Sequence, residues 1–291
     1  MQQASEGDGT GAVYVQTNAS PNEVIAFRRM TDGSLERIGA VATGGDGDGM
    51  PHLTSQGSVV LTRDGRHLLV TNAATDDLSV FAIADDGSIE LRHQVPTGAA
   101  PKSLAEHDGF VAVLHTGKPG VSAFRLDEEA IVPVLGADEV LAASDADPAQ
   151  VGLTPDGSML VITERGTDAI LSYPVMADGS LGAPSALASS GPTPYGFAIT
   201  SGGTLVVTEA FRAERGAAAA SSYAIVDGSI LPRTASVGNG RSEICWAVVT
   251  PDDRFAFTSN FADGAVSRYA IGAPTVRSPS RTPPRPSRST A

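Results

Sequence analysis

Two glutamates, Glu164 and Glu209, and one histidine, His115, close the short apolar runs MLVITE, TLVVTE and FVAVLH. A carboxylate at such a position can act as a general base on water. A nearby imidazole, ammonium or guanidinium can stabilise the oxyanion formed when water adds to a carbonyl. Glu164 or Glu209 could serve as the base, and His115, Lys102 or Arg212 could polarise the carbonyl. Asn72 and Asn260 close the matching runs HLLVTN and FAFTSN, so the five positions recur about every 45 residues. Gln150, Tyr195 and Trp246 stand at the starts of neighbouring runs. With Asn72, Lys102, Arg212 and Asn260 they form the expected substrate-binding set. The competing role for such residues is structural: Asn and Asp at strand ends cap turns through their own side chains, and a terminal glutamate is often only solvated. His52 and His67 have no acidic partner nearby in sequence and read as structural.

The elements that carry these residues follow from an internal repeat. Residues 57–83 read GSVVLTRDGRHLLVTNAATDDLSVFAI, residues 149–174 read AQVGLTPDGSMLVITERGTDAILSYP, and residues 245–271 read CWAVVTPDDRFAFTSNFADGAVSRYAI. More degenerate copies lie at 103–125 and 194–225, and residues 13–29 carry the second half of the phrase. In each copy an apolar strand meets a turn such as Asp64-Gly65 or Asp156-Gly157, where glycine supplies the positive φ that a tight hairpin needs. A second strand ends in a small polar cluster and a third alternates in polarity. A second Asp-Gly turn (Asp32-Gly33, Asp86-Gly87, Asp178-Gly179, Asp227-Gly228) leads to an outer fourth strand.

This pattern predicts an all-β chain, a β-propeller of four-stranded blades with about six blades present of an expected seven. The strand count comes to about 22, with the inner strand of the first blade and the outer strand of the last blade absent. A seven-blade protein shortened at its C-terminus would fit, and it would leave an exposed sheet edge. The expected domain runs over 13–272. Residues 1–12 and the Pro/Ser/Arg-rich 273–291 are expected to be disordered.

The chain has 291 residues and a formal net charge of −13, which opposes a broad nucleic-acid or anionic-membrane surface. A single cysteine, Cys245, excludes an internal disulfide and a cysteine-based zinc cage. Its apolar setting beside Trp246, with Arg241 as the only close cation in sequence, reads as a buried structural thiol. No His/Asp spacing resembles a metal site, and no phosphate loop, serine elbow or dinucleotide fingerprint is present, so no cofactor is expected. The polar, acidic start and the lack of a long apolar run predict a cytoplasmic protein whose partner is a small molecule, with no nucleic acid and no membrane.

The phrase TRDGRHLLVTN…SVFAI…DGSI resembles the seven-bladed lactonase family, which groups 6-phosphogluconolactonase-type and 3-carboxymuconate-cyclase-type proteins. The resemblance spans about residues 13–272. It implies a top-face site that opens lactones without a metal. Family enzymes carry Gly-Pro-Arg-His in blade five, followed by Asn-Glu. Here Gly191-Pro192 leads to Thr193 and Pro194, while the acid is kept as Glu209. In blade four a His-Pro-His stretch becomes Asp147-Pro148-Ala149, with the following acid kept as Glu164. The carboxylates are retained and the basic partners are not. A lactone hydrolase and a non-catalytic propeller that binds a small molecule or protein are therefore both consistent with the chain. The loop 210–216 is longer than its counterparts and is expected to lie over the same face as a lid.

Overall fold

The computed structural model describes residues 9–50, 56–128, 130–136, 138–141, 143–272 and 276–277. The expected disorder at 1–8, 273–275 and 278–291, and the role of His52, fall outside these residues. The fold is an all-β propeller of six blades, each an antiparallel meander.

Blade one comprises β1 (Gly9–Gln16), β2 (Glu23–Met30) and β3 (Leu35–Ala42), a three-stranded sheet among the described residues. Its first strand starts at Gly9 rather than at Val13. A register shift between Gly9 and Gly11 lets the extra residues continue pairing with the end of β2. Blade two is β4 (Val59–Leu61), β5 (His67–Asn72), β6 (Asp77–Ile83) and β7 (Ile89–Pro96). Blade three is β8 (Pro101–His107), β9 (Phe110–His115), β10 (Gly120–Leu126) and an outer strand in two pieces, β11 (Ile131–Pro133) and β12 (Glu139–Val140). Both pieces pair with β10.

Blade four is β13 (Pro148–Leu153), β14 (Met159–Glu164), β15 (Ala169–Pro174) and β16 (Ser185–Ala188). Blade five is β17 (Pro194–Ile199), β18 (Thr204–Glu209), β19 (Ala219–Val226) and β20 (Ser229–Gly238), with a short 3-10 turn at Phe211–Ala213 between β18 and β19. Blade six is β21 (Ile244–Val249), β22 (Phe255–Asn260), β23 (Ala265–Ile271) and β24 (Val276–Arg277). The described residues thus hold 24 strands, more than the number expected. One addition is the broken outer strand of blade three. The other is β24, a short outer strand where the sequence reading ended the blade at its third strand; Val276 pairs with Ile271.

Local chemistry explains the meanders. Gly65 and Gly157 take φ of 71° and 72° in the first Asp-Gly turns, where a Cβ would be strained. The central strands β5, β9 and β14 are apolar up to their last one or two residues and buried on both faces, apart from the half-buried His67 at the start of β5. Outer strands such as β7 alternate buried and exposed residues, the pattern of a sheet with one wet face.

The chain divides into two compact units, residues 1–162 with 173–184 and residues 163–172 with 185–291. In the first unit Leu69, Leu78, Val80, Leu104, Val113 and Phe124 form one apolar cluster, and Val24, Leu68, Val70 and Phe81 form another. In the second unit the buried set includes Phe197, Leu205, Tyr223, Ile244 and Tyr269.

Candidate functional site

In the first unit the expected residues are already committed to neighbours. Asn72, at the end of β5, is fully buried. Its amide nitrogen donates to Asp77 at 2.5 Å and to Ser79 at 2.8 Å. Its amide oxygen accepts from Asn22 at 2.8 Å and from Thr43 at 2.7 Å. Those four bonds use the hydrogen-bonding capacity of an asparagine side chain.

His115, at the end of β9, places Nδ1 2.7 Å from the Lys118 carbonyl and Nε2 3.4 Å from the Ser122 hydroxyl. The carbonyl can only accept, so Nδ1 carries the proton. Burial pushes the imidazole pKa below its usual value, against the pull of the Lys118 carbonyl and of Asp138 and Asp76. Lys102 on β8 pairs with Asp48 at 3.3 Å. Burial opposes the ionisation of Asp48. Bonds from Met50 and Asn18 and the charge of Lys102 outweigh it and hold the carboxyl below the usual range. Gln150 on β13 is buried. Two clefts of about 470 and 340 Å³ lie in this unit, lined by residues such as Tyr14, Arg28 and Asp86 or Arg63, Arg66 and Glu128. None of the expected site residues lines either of them.

The second unit holds both glutamates. Glu209, at the end of β18, is fully buried. Oε1 accepts from the Gly191 N–H at 2.8 Å and from the Ser221 hydroxyl, and Oε2 accepts from the Ser236 hydroxyl at 2.7 Å. Gly191 is needed for this approach, since a Cβ there would stand 2.4 Å from the carboxylate. Asn260, at the end of β22, donates to Ser267 at 3.0 Å and accepts from Asn239 at 2.9 Å.

Glu164, at the end of β14, is 3% exposed and accepts from the Thr167 hydroxyl at 2.5 Å. The next residue, Arg165, lays its guanidinium over the Tyr195 ring, 4.8 Å from the centroid. That contact fixes the Arg165 guanidinium against an aromatic face. Asp168, three residues on, accepts from the Thr193 N–H at 2.7 Å and from the Arg212 guanidinium at 2.6 Å. The Arg212 N–H in turn donates to Thr193 Oγ1 at 3.0 Å.

The segment that presents Arg212 is strained. Phe211, Arg212 and Ala213 have φ of 47°, 50° and 61°, and Asp168 and Thr193 are also left-handed at 54° and 59°. Each such non-glycine residue costs about 1 kcal/mol, so the surrounding hydrogen bonds must hold the turn. The expected lid loop is therefore a fastened left-handed turn, tied to Thr193 and Asp168.

Cys245 and Trp246 lie on β21. Burial, with the Glu243 charge, pushes the Cys245 thiol up to about 11, and Arg165 opposes this only in part. Trp246 is 42% exposed. Of the expected residues, Glu164 opens the 164–168 turn and bonds Thr167, Tyr195 lies against Arg165 of that turn, and Arg212 pairs with its Asp168. The structure places Glu209, Asn260 and Trp246 elsewhere in the same unit, while Asn72, Lys102, His115 and Gln150 belong to the first unit. Arg165 and Asp168 were missed by sequence reasoning. The available signal was a cation directly following a strand-terminal acid.

Among the described residues, no group of three or more His, Cys, Asp or Glu side chains is placed to hold a metal ion, and no helix is long and apolar enough to cross a membrane. The family model for lactonase, 7-bladed beta-propeller, matches residues 10–132 and 131–212. A 6-phosphogluconolactonase of Enterobacter sp. (strain 638) is 24% identical over 160 residues. That match covers 52% of this chain and 48% of the relative, so the chain aligns with about half the length of that curated protein. Among solved structures, the periplasmic gluconolactonase PpgL of Pseudomonas aeruginosa superposes with a TM-score of 0.73 at 16% identity, covering 93% of this chain and 82% of that one. The virginiamycin B lyase of Staphylococcus aureus superposes with a TM-score of 0.56 at 15% identity, covering 95% and 86%. At these identities the structural likenesses establish the fold alone.

Proposed function

Because this chain belongs to the lactonase family of seven-bladed β-propellers, we propose that it hydrolyses a small lactone carrying at most one negative charge. The observation that carries this reading is the grouping at the 164–168 turn. Glu164, 3% exposed, directly precedes Arg165, whose guanidinium lies over the Tyr195 ring, and Asp168 of the same turn holds Arg212.

In this reading Glu164 takes a proton from water as the water oxygen bonds to the lactone carbonyl carbon. Arg165 faces the carbonyl oxygen as negative charge develops on it. Collapse of the tetrahedral adduct breaks the ring C–O bond, and the leaving alkoxide recovers the proton from Glu164 to give the open hydroxy acid. Arg212 supplies a second positive charge for a carboxylate or hydroxyl of the substrate, next to Thr193, where the family enzymes carry arginine. Glu209 has no oxygen left without a donor and serves as a positioning residue for the connector at Gly191.

A non-catalytic binding role is the second reading. It is favoured by the internal saturation of Asn72 and Glu209 and by non-basic residues at Thr193, Pro194 and Ala149.

The two readings separate in a pH-stat assay with glucono-δ-lactone, corrected for spontaneous opening. Glu164→Gln should lower kcat about 100-fold or more. Arg165→Met should lower kcat/KM with unfolding unchanged. Turnover by Glu164→Gln equal to that of the parent would sink the hydrolase reading. Saturable binding without turnover would support the second.

A further inference from the structure

We propose that Arg212 is a specificity-determining residue that reads a carboxylate on the substrate, so that the preferred lactone carries one carboxylate rather than none. This rests on the hydrolase reading for the lactone ring, while the anion site itself can be tested without turnover.

The repeat accounts for Asp168 but not for Arg212. Asp168 accepts from the Thr193 N–H at 2.7 Å, and in the first unit Asp76 accepts from the Ala100 N–H at the same 2.7 Å. All four residues are left-handed, with φ of 54°, 59°, 57° and 55°. A tie between one blade's turn and the next inner strand is therefore a recurring part of the fold. At Asp76 no arginine is bonded to it among the described residues. Blade five adds one: Arg212 Nη2 donates to Asp168 Oδ2 at 2.6 Å, and the Arg212 N–H donates to Thr193 Oγ1 at 3.0 Å. Ala100 has no hydroxyl that could take the second bond.

The turn that carries Arg212 is not a stability device. Phe211, Arg212 and Ala213 are three consecutive left-handed residues without a glycine, a run found nowhere else among the described residues. Each is strained by its Cβ. The pair it forms is largely solvated, with Arg212 and Asp168 side chains 66% and 33% exposed. A solvated pair contributes less than three such residues cost. What the strain secures is the fixed orientation of one guanidinium.

The chemistry of that group selects the ligand. Of its five N–H groups, one is bonded to Asp168, and the others bond nothing among the described residues. They leave a planar fork that fits both oxygens of a carboxylate, whereas a hydroxyl would engage only part of it. Arg165 and Asp168 are the ends of one four-residue turn, so their Cα atoms lie within about 7 Å of each other. A single lactone ring with its carbonyl toward Arg165 and a carboxylate toward Arg212 matches that span.

Glucaro-1,4-lactone and glucono-1,4-lactone share a ring and differ by one carboxylate, so initial rates on the pair test the proposal. The parent protein should show a kcat/KM at least about tenfold higher for the carboxylate, carried by KM. Arg212→Gln should bring the ratio close to one with an unchanged thermal melt. Raising NaCl from about 0.05 to 0.5 M should raise KM for the carboxylate lactone alone, which a purely structural arginine would not produce. Calorimetric titration of both lactones into Glu164→Gln protein reads the anion site without turnover. It should show at least about tenfold tighter binding of glucaro-1,4-lactone, lost on adding Arg212→Gln. If neither lactone opens faster than it does spontaneously, the hydrolase reading fails and the titration still decides the role of Arg212. Equal binding of the two lactones, binding of neither, or a difference that survives Arg212→Gln would overturn the proposal.

Discussion

Asn72 donates to Ser79 at 2.8 Å, seven residues further along the chain, and Asn260 repeats the contact to Ser267 at 3.0 Å. Glu209 makes the corresponding contact to Ser221 across the longer loop of blade five, and His115 faces Ser122 at 3.4 Å. The end of the second strand is thus a polar tie between second and third strands. A group from the connector that leaves the preceding blade completes it: Thr43 for Asn72, Gly191 for Glu209 and Asn239 for Asn260.

The tie at Glu209 should therefore matter for stability before it matters for chemistry. Glu209→Ala leaves the Gly191 N–H and the Ser221 and Ser236 hydroxyls without their acceptor in a fully buried site. It should cost about 3 kcal/mol. Urea unfolding reads this directly. A loss below about 0.5 kcal/mol would mean that the site relaxes or fills with water.

His115 should make stability fall on the acid side of neutrality. Burial lowers its folded-state pKa, so below the unfolded value of about 6.5 the unfolded chain binds the proton more readily. The stabilisation is intact above that pH and is lost as pH falls through the window beneath it. His115→Asn can keep a donor for the Lys118 carbonyl and should flatten the difference in unfolding free energy between about pH 7 and 5. An unchanged slope would assign the pH dependence to other groups.

Asp156 works in the opposite range. Bonds from the Thr154 hydroxyl and from the backbone and side chain of Ser158 hold its carboxyl at about 2. A depressed folded-state pKa contributes stability above the unfolded value of about 4, and that contribution disappears as pH drops toward 2. The group is mostly solvated, so Asp156→Ala should cost only about 0.5–1 kcal/mol at pH 7 and almost nothing near pH 2. Paired urea titrations at the two pH values would show the convergence.

Cys245 should be unreactive while the protein is folded. With its thiol raised to about 11, little thiolate exists at pH 8, and the side chain is 4% exposed. Iodoacetamide should modify it slowly in buffer and fully in denaturant, as read by mass spectrometry. Rapid native labelling would point to an opening of β21.

The sequence by itself determined the blade architecture, because its signals are local. An Asp-Gly pair sets a positive φ, alternation sets a face, and a continuous apolar run such as MLVITE demands burial on both sides. These signals placed Glu164, Glu209 and His115 at strand ends and read Cys245 as structural. They also anticipated the three strands described in blade one. They did not reveal β24, a pairing of only two residues, or the extension of β1 to Gly9 through a bulge. Only the tertiary structure decided which neighbours hold each strand-end group. Asn72 and Glu209 are consumed by hydroxyls and connectors 12 to 50 residues away in the chain. Arg165 gains its position from a ring 30 residues further on. Hydrogen-bond saturation and solvent exposure are sums over neighbours in space, and no local pattern in the chain carries them.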